Sequence, residues 1–180
     1  MLWRQLRAIV PFPGMVTMVV PAVLLLTVGA ARWDRGWPGP ARATAIALGV
    51  AALTVGLLLF VWTVVLFASR GRGTLAPYDA PDRLVVAGPY AHVRNPMYSG
   101  VFFVLVGEAL VLRSVSVLVW FAVFAAVVAV VVPRLEERCL VERFGDDYAA
   151  YRAHVPRWVP RPTPWRADRA VDRPGGSASA

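Results

Sequence analysis

The sequence predicts an all-α integral membrane protein with about four transmembrane helices, a cytoplasmic loop and a C-terminal amphipathic helical segment. Three observations predict it. Hydrophobic residues make up 58% of the 180 positions and the mean hydropathy is +0.57, which a soluble domain would not carry. Long apolar runs, most of them close to bilayer length, are separated by stretches rich in Arg, Trp, Gly and Pro. Finally, the arginines are distributed unevenly between the two sides that four crossings would create.

Arg4 and Arg7 precede the first apolar run, about residues 15–31. Its length, and the lack of a small-residue cleavage site, mark it as a retained helix rather than a signal peptide. Pro21 should kink this helix without ending it, because neighbouring helices can satisfy the freed carbonyl. Residues 32–40 then form a short turn whose Trp33 and Trp37 suit a membrane interface. The second span, about 43–68, exceeds the roughly 20 residues a crossing needs, so it should tilt or project. Residues 69–93 are punctuated by Gly71, Gly73, Pro77, Pro81, Gly88 and Pro89 and read as a loop, with Leu84-Val85-Val86 as a short extended segment.

Asn95-Pro96 is a helix-start signal, with Asn95 as a side-chain cap and Pro96 at the first helical position. The third span, about 97–112, and the fourth, 115–132, are separated only by Arg113 and Ser114, so they form a tight antiparallel hairpin. Pro133 marks the bilayer exit. From Arg134 to Tyr151 a charged segment keeps Leu135, Leu140, Val141, Phe144, Tyr148 and Tyr151. That pattern predicts an amphipathic helix broken near Gly145, lying on the membrane or on the 69–93 loop. Residues 1–166 read as one membrane domain and 167–180 as a disordered tail.

Fifteen of the nineteen basic residues fall on the side of the N-terminus, the 69–93 loop and the C-terminal region, so that side is assigned to the cytoplasm. All nineteen are arginine, the usage of a GC-rich bacterial genome, which points to a bacterial inner membrane. The net charge of +8 therefore reflects topology, not nucleic-acid binding. The single Cys139 excludes an intrachain disulfide, and no catalytic triad, phosphate-binding glycine loop or metal-ligand cluster is present in the pattern. His92 reads as structural. Glu108, inside the third span, is a functional candidate or a protonated hydrogen-bonding group. Glu136 and Glu137 fall within one turn of the bilayer exit, where a solvated face of local ion pairs is the plainer reading.

The run Gly88-Pro-Tyr-Ala-His-Val-Arg-Asn-Pro-Met-Tyr-Ser-Gly100 is followed by the helical hairpin. Then come Glu136-Glu137, Leu140, Phe144-Gly145, Tyr148, Tyr151 and Val155-Pro156-Arg157. Over residues 84–160 this pattern resembles the isoprenylcysteine carboxyl methyltransferase family, a group of integral-membrane methyltransferases that includes phospholipid N-methyltransferases. The resemblance implies S-adenosylmethionine as cofactor, held in a cytoplasmic-face pocket roofed by the C-terminal segment, and a lipophilic acceptor entering from the lipid side. By motif it implies that Tyr90, Asn95, Pro96, Met97 and Tyr98 line the cofactor and that Glu136 engages its polar end. Leu84 and Val85 are carried over through their backbone. The protein-methylating members have His-Pro where this chain has Asn95-Pro96. Asparagine can hydrogen-bond but cannot carry charge or act as a base. The resemblance therefore carries the cofactor and leaves the acceptor open among carboxylate, amine and thiol. The alternatives are a membrane sterol-type reductase using a nicotinamide cofactor and a non-catalytic lipid-binding membrane protein.

Overall fold

A computed structural model describes residues 10–28, 31–70 and 84–166. Arg4, Arg7, the central part of the interior loop and the 167–180 tail lie outside the described residues. Within them the chain is helical and no strand forms; one isolated bridge joins Arg32 to Ser114.

The first apolar run begins as a π-helical segment, Val10–Val19, and continues as α1, Val20–Thr27. The change of pitch falls one residue before Pro21, as expected where a ring excludes the carbonyl four residues back and the wider turn accommodates it. The helix thus continues through Pro21 and is not ended by it. α2, Gly39–Arg70, overruns the expected span at both ends. At 1.5 Å per residue it is about 48 Å long, well beyond a bilayer core of roughly 30 Å. The helix therefore takes in Ser69 and Arg70, which composition had assigned to the interior loop.

α3, Pro96–Leu112, and α4, Val115–Val131, form the expected hairpin. Arg113 makes the reversal in the left-handed region at φ 54°, and the Ser114 hydroxyl caps α4 by accepting from the Val117 N–H at 3.4 Å. Pro133 does not end the helix. A π-helical turn, Val132–Glu136, carries the backbone on into α5, Glu137–His154, so α4 and α5 are one continuous helical path. Its apolar part stops at Val132. The expected break appears at Gly145, whose φ of 51° and ψ of −125° lie outside any helix.

α2 packs along α3 more closely than any other pair. Glycines make this possible: Gly56 faces Gly100, and Gly49 faces Gly107. A Cβ on Gly107 would sit 2.7 Å from the Leu53 amide nitrogen and 2.8 Å from the Gly49 carbonyl oxygen, so the backbones themselves would have to separate. Gly107→Ala should therefore cost about 1–3 kcal/mol through overpacking. Gly14→Ala, where nothing lies within 4 Å, serves as the control in a thermal unfolding series in detergent. Equal midpoints for the two variants would contradict the close helix contact.

The opposite face of α3 carries the core: Val101 and Leu105 with Val16, Phe124, Val128 and Val132, flanked by Phe102, Trp120 and Trp158. Trp120 ties α4 to the π-helical segment by donating to the Val16 carbonyl at 2.9 Å. The outer faces of α2 and α4 remain apolar and exposed, among them Leu48, Leu58, Val61, Trp62, Leu118, Val123 and Val127. Such surface is stable in lipid and not in water. Two helical stretches, Gly39–Phe67 and the one that begins at Val115, are long and apolar enough to cross a membrane; Pro13–Thr27 and Pro96–Leu112 are apolar but shorter.

Candidate active site

The mouth of α3 is built from the Gly88–Asn95 run. Gly88–Ala91 forms one 3-10 turn, a local order the loop composition did not suggest. Gly88 is required by its φ of +55°, where a side chain would be strained; it packs close to the Leu66 side chain near the end of α2. Pro89 then accepts, through its carbonyl, from the N–H groups of His92 and Val93, each at 3.0 Å. Asn95 holds the N-cap position of α3, but its side chain makes no capping hydrogen bond, contrary to expectation. Its φ of −120° and ψ of 54° depart from the extended geometry that aims a cap oxygen at the first turn. The Ser99 hydroxyl instead donates to the Asn95 carbonyl at 3.2 Å, and the buried Asn95 Nδ2 has no hydrogen-bond acceptor. Pro96 behind it is fully buried.

The π turn after Pro133 brings two adjacent carboxylates to this mouth. Successive helical residues point about 100° apart, so Glu136 and Glu137 reach different partners. Glu136 accepts a hydrogen bond from the Tyr98 hydroxyl, joining residues 38 apart in sequence. Burial pushes its carboxyl above the ordinary range; the Tyr98 hydroxyl opposes this and the neighbouring Glu137 adds to it. Glu137 is 5% exposed and sits between two arginines. Arg157 grips it with Nε at 2.7 Å and Nη2 at 2.9 Å, while Arg94 Nη1 lies 2.9 Å from Oε1. The plain reading of this segment as a solvated charged face fails here, because Glu137 is neither solvated nor paired along its own helix.

The segment after α5 lies back across the loop as a strap. The Arg94 N–H donates to Pro156 O at 2.9 Å, the Arg161 N–H to His92 O at 3.0 Å and the Trp165 N–H to Ala91 O at 2.9 Å. His92 Nδ1 lies 2.8 Å from the Arg161 carbonyl, so the nitrogen carries the proton and the ring is structural. Tyr151 donates to the Tyr90 carbonyl at 2.7 Å. Tyr148, Tyr151 and Val155 form a second core, on which Leu84, Val86, Leu140, Phe144 and Trp165 pack. The amphipathic helix therefore lies on the end of the interior loop, and 84–86 is held by this packing instead of by strand pairing. Burial raises the hydroxyls of Tyr90, Tyr148 and Tyr151, keeping them neutral.

Of the residues singled out from the sequence, Tyr98 and Glu136 are in direct contact, with Asn95, Pro96 and Met97 beside Tyr98 along the chain. Leu84 and Tyr90 are drawn instead to the aromatic cluster of α5, and Val85 is buried between its neighbours there. The ion triad of Arg94, Glu137 and Arg157 was not foreseen. Its one sequence signal was the pair of adjacent glutamates just past a proline. No group of His, Cys, Asp and Glu able to hold a metal occurs among the described residues.

This geometry has known counterparts in sequence. The phospholipid methyltransferase family model matches residues 44–147, from the first turns of α2 to just past the break of α5. The chain is 30% identical over 153 residues to the cobalt-zinc-cadmium resistance protein CzcN of Cupriavidus metallidurans, covering 85% of this chain and 63% of that one. It is 38% identical over 78 residues to protein-S-isoprenylcysteine O-methyltransferase of Schizosaccharomyces pombe, covering 43% of this chain and 33% of that one. The chain thus spans less than two thirds of the length of either relative. No solved structure matches it. With more than half its length matched, including both Tyr98 and Glu136, the chain belongs to the phospholipid methyltransferase family, among the isoprenylcysteine methyltransferase-like membrane methyltransferases.

Proposed function

We propose that this protein transfers a methyl group from S-adenosylmethionine to a lipophilic acceptor at the end of the bundle where α3 begins. The observation that carries the reading is the Tyr98–Glu136 contact, which joins two distant motifs of a methyltransferase family at one helix mouth. The donor set suits the cofactor's polar end. Glu136 offers a carboxylate to its ammonium group, held in position by the Tyr98 hydroxyl. The unused Asn95 Nδ2 and the N-terminus of α3 offer donors and partial positive charge to its carboxylate. Pro96 and Met97 flank Tyr98 in the wall, while Tyr90, Leu84 and Val85, packed toward the α5 cluster, support it from behind, and the strap formed by 155–165 excludes water.

When bound, the cofactor supplies an electrophilic methyl group, so the protein needs no covalent nucleophile. Its own residues must align the reactants and keep the site dry. A carboxylate acceptor needs no base; an amine must lose a proton, and a thiol reacts as thiolate. In the proposed topology the π-helical segment with α1, and α2, α3 and α4, make four crossings. The arginine asymmetry then places the site, the N-terminus and the strap in the cytoplasm.

The acceptor reaches the site from the bilayer, because the catalytic run opens directly into α3. Labelled methyl should therefore move from S-adenosylmethionine into a lipid extract. In a homologous series with one head group, tail length should govern apparent affinity. Each buried methylene is worth about 0.8 kcal/mol, so four added carbons should give up to roughly two orders of magnitude at fixed mole fraction in nanodiscs. A flat series, or faster turnover of short soluble members, would place the acceptor's entrance in water.

A further inference from the structure

The end of the bundle away from Tyr98 holds a second built feature that methyl transfer does not use. Asp34, 2% exposed, sits among three arginines. Arg32 approaches with Nε at 3.1 Å and Nη2 at 3.3 Å, Arg42 with Nε at 3.2 Å and Arg113 with Nη1 at 3.3 Å. The turn that carries Asp34 is pinned to the hairpin: the Trp33 N–H donates to Arg113 O at 3.3 Å, the Val115 N–H to Ala31 O at 2.9 Å, and Trp33 Nε1 to Ala109 O at 3.3 Å. The three cations are therefore held by backbone on both sides and are not a loose surface cluster.

Charge and donors are both in excess. Each guanidinium has five N–H donors, and one carboxylate can accept about four. Arg42 Nη2 uses one more on the Trp37 carbonyl at 2.8 Å. The arginine side chains are 38%, 40% and 24% exposed against 2% for Asp34, so the cations and not the carboxylate are open to the outside. Arg35 in the same turn adds a fourth positive charge. Even with Glu108 of α3 counted as ionised, this end stays net positive.

Beside the arginines runs an apolar groove of about 540 Å³ lined by Trp33, Trp37, Ala45, Leu48, Leu110 and Leu118. Trp33 and Trp37 meet edge to face at 5.1 Å. Tryptophans of this kind settle at the head-group level of a bilayer. The turn that carries the cationic cluster also supplies Trp33 and Trp37 to the wall of the apolar groove, and the two together match the two ends of one ligand. We propose that this end of the bundle binds an anionic phospholipid, its phosphate on Arg42 and Arg113 and one acyl chain in the groove. The site lies about 25 Å from the α3 mouth, the length of 17 helical residues, so its occupant is a bound lipid of the other leaflet and not the methyl acceptor.

The test uses the full-length protein in detergent, with lipid binding read by native mass spectrometry. Short-chain phosphatidylglycerol should bind about tenfold tighter than phosphatidylcholine of the same chain length. Arg42→Gln and Arg113→Gln should each reduce that preference about fivefold. Thr44→Trp, on the exposed wall of the groove, should weaken both lipids while inorganic phosphate remains a poor competitor. Arg138→Gln, exposed on α5, should leave the preference unchanged. Equal binding of the two lipids, a preference that survives in the Arg42/Arg113 double variant, or displacement by inorganic phosphate as effective as by lipid would each overturn the proposal. So would a loss in Arg138→Gln equal to that in Arg42→Gln.

Discussion

Glu136→Gln is expected to weaken S-adenosylmethionine binding ten- to a hundredfold while the protein still inserts and folds. The amide keeps the shape of the side chain and can still accept from the Tyr98 hydroxyl, so the helix mouth should stay closed. What disappears, on the proposed reading, is the charge offered to the cofactor's ammonium group. A charge-assisted hydrogen bond in a partly dry site is worth about 1.5–3 kcal/mol. Equilibrium binding of labelled cofactor measures this directly, with Glu142→Gln, exposed further along α5, as the control. Equal and small effects of the two substitutions would remove Glu136 from the ligand set. The pH dependence gives a second check. Burial holds the Glu136 carboxyl above its ordinary value, so affinity should begin to fall on acidification at a higher pH than an exposed glutamate would show. Stability without cofactor should move the other way. A carboxyl with a raised pKa in the folded state binds protons more readily there, so its protonation as pH falls favours the fold.

Glu137→Gln should have a different signature, a loss of stability. Glu137 carries the charge that holds both Arg94 and Arg157, and through them the loop and the strap. Breaking a buried pair by removing one partner costs about 3–5 kcal/mol, and the exposure of Arg157 favours the lower end of that range. Two cations would then face each other across a neutral amide. The strap should open, seen as faster proteolysis after Val155 and a lower thermal midpoint. An additional Arg94→Gln should recover part of the loss, because it removes one of the uncompensated charges. Full wild-type stability in Glu137→Gln would mean that the strap is held by its backbone hydrogen bonds alone. The contrast between neighbouring glutamates is the useful feature: one substitution should alter binding without stability, the other stability first.

Much of this was legible before folding. The apolar runs and the Arg113-Ser114 reversal depend on local composition and on the length a bilayer demands. So does the break at Gly145, where glycine alone tolerates a positive φ without a steric penalty. Tyr98 and Glu136 could be singled out because they stand in recognisable runs. The errors also have local causes. Pro133 marks the end of the apolar run, but composition did not reveal that a single π turn absorbs the hydrogen bond proline removes and keeps the helix continuous. Asn95 looked like a side-chain cap because its residue type and its position before a proline are right; the backbone angles imposed by the strap and the 3-10 turn aim it elsewhere.

The sequence by itself determined that this is a helical membrane protein, where its helices lie to within a few residues, and which family its motifs belong to. These follow from side-chain chemistry read over one or two turns of chain, where neighbours in sequence are neighbours in space. Only the tertiary structure decided that Glu136 meets Tyr98 while Glu137 is taken by Arg94 and Arg157, and that Asp34 gathers three arginines at the far end. Two adjacent glutamates are chemically identical. What separates them is a rotation of about 100° around a helix and the distant surface each then faces, which no local pattern records.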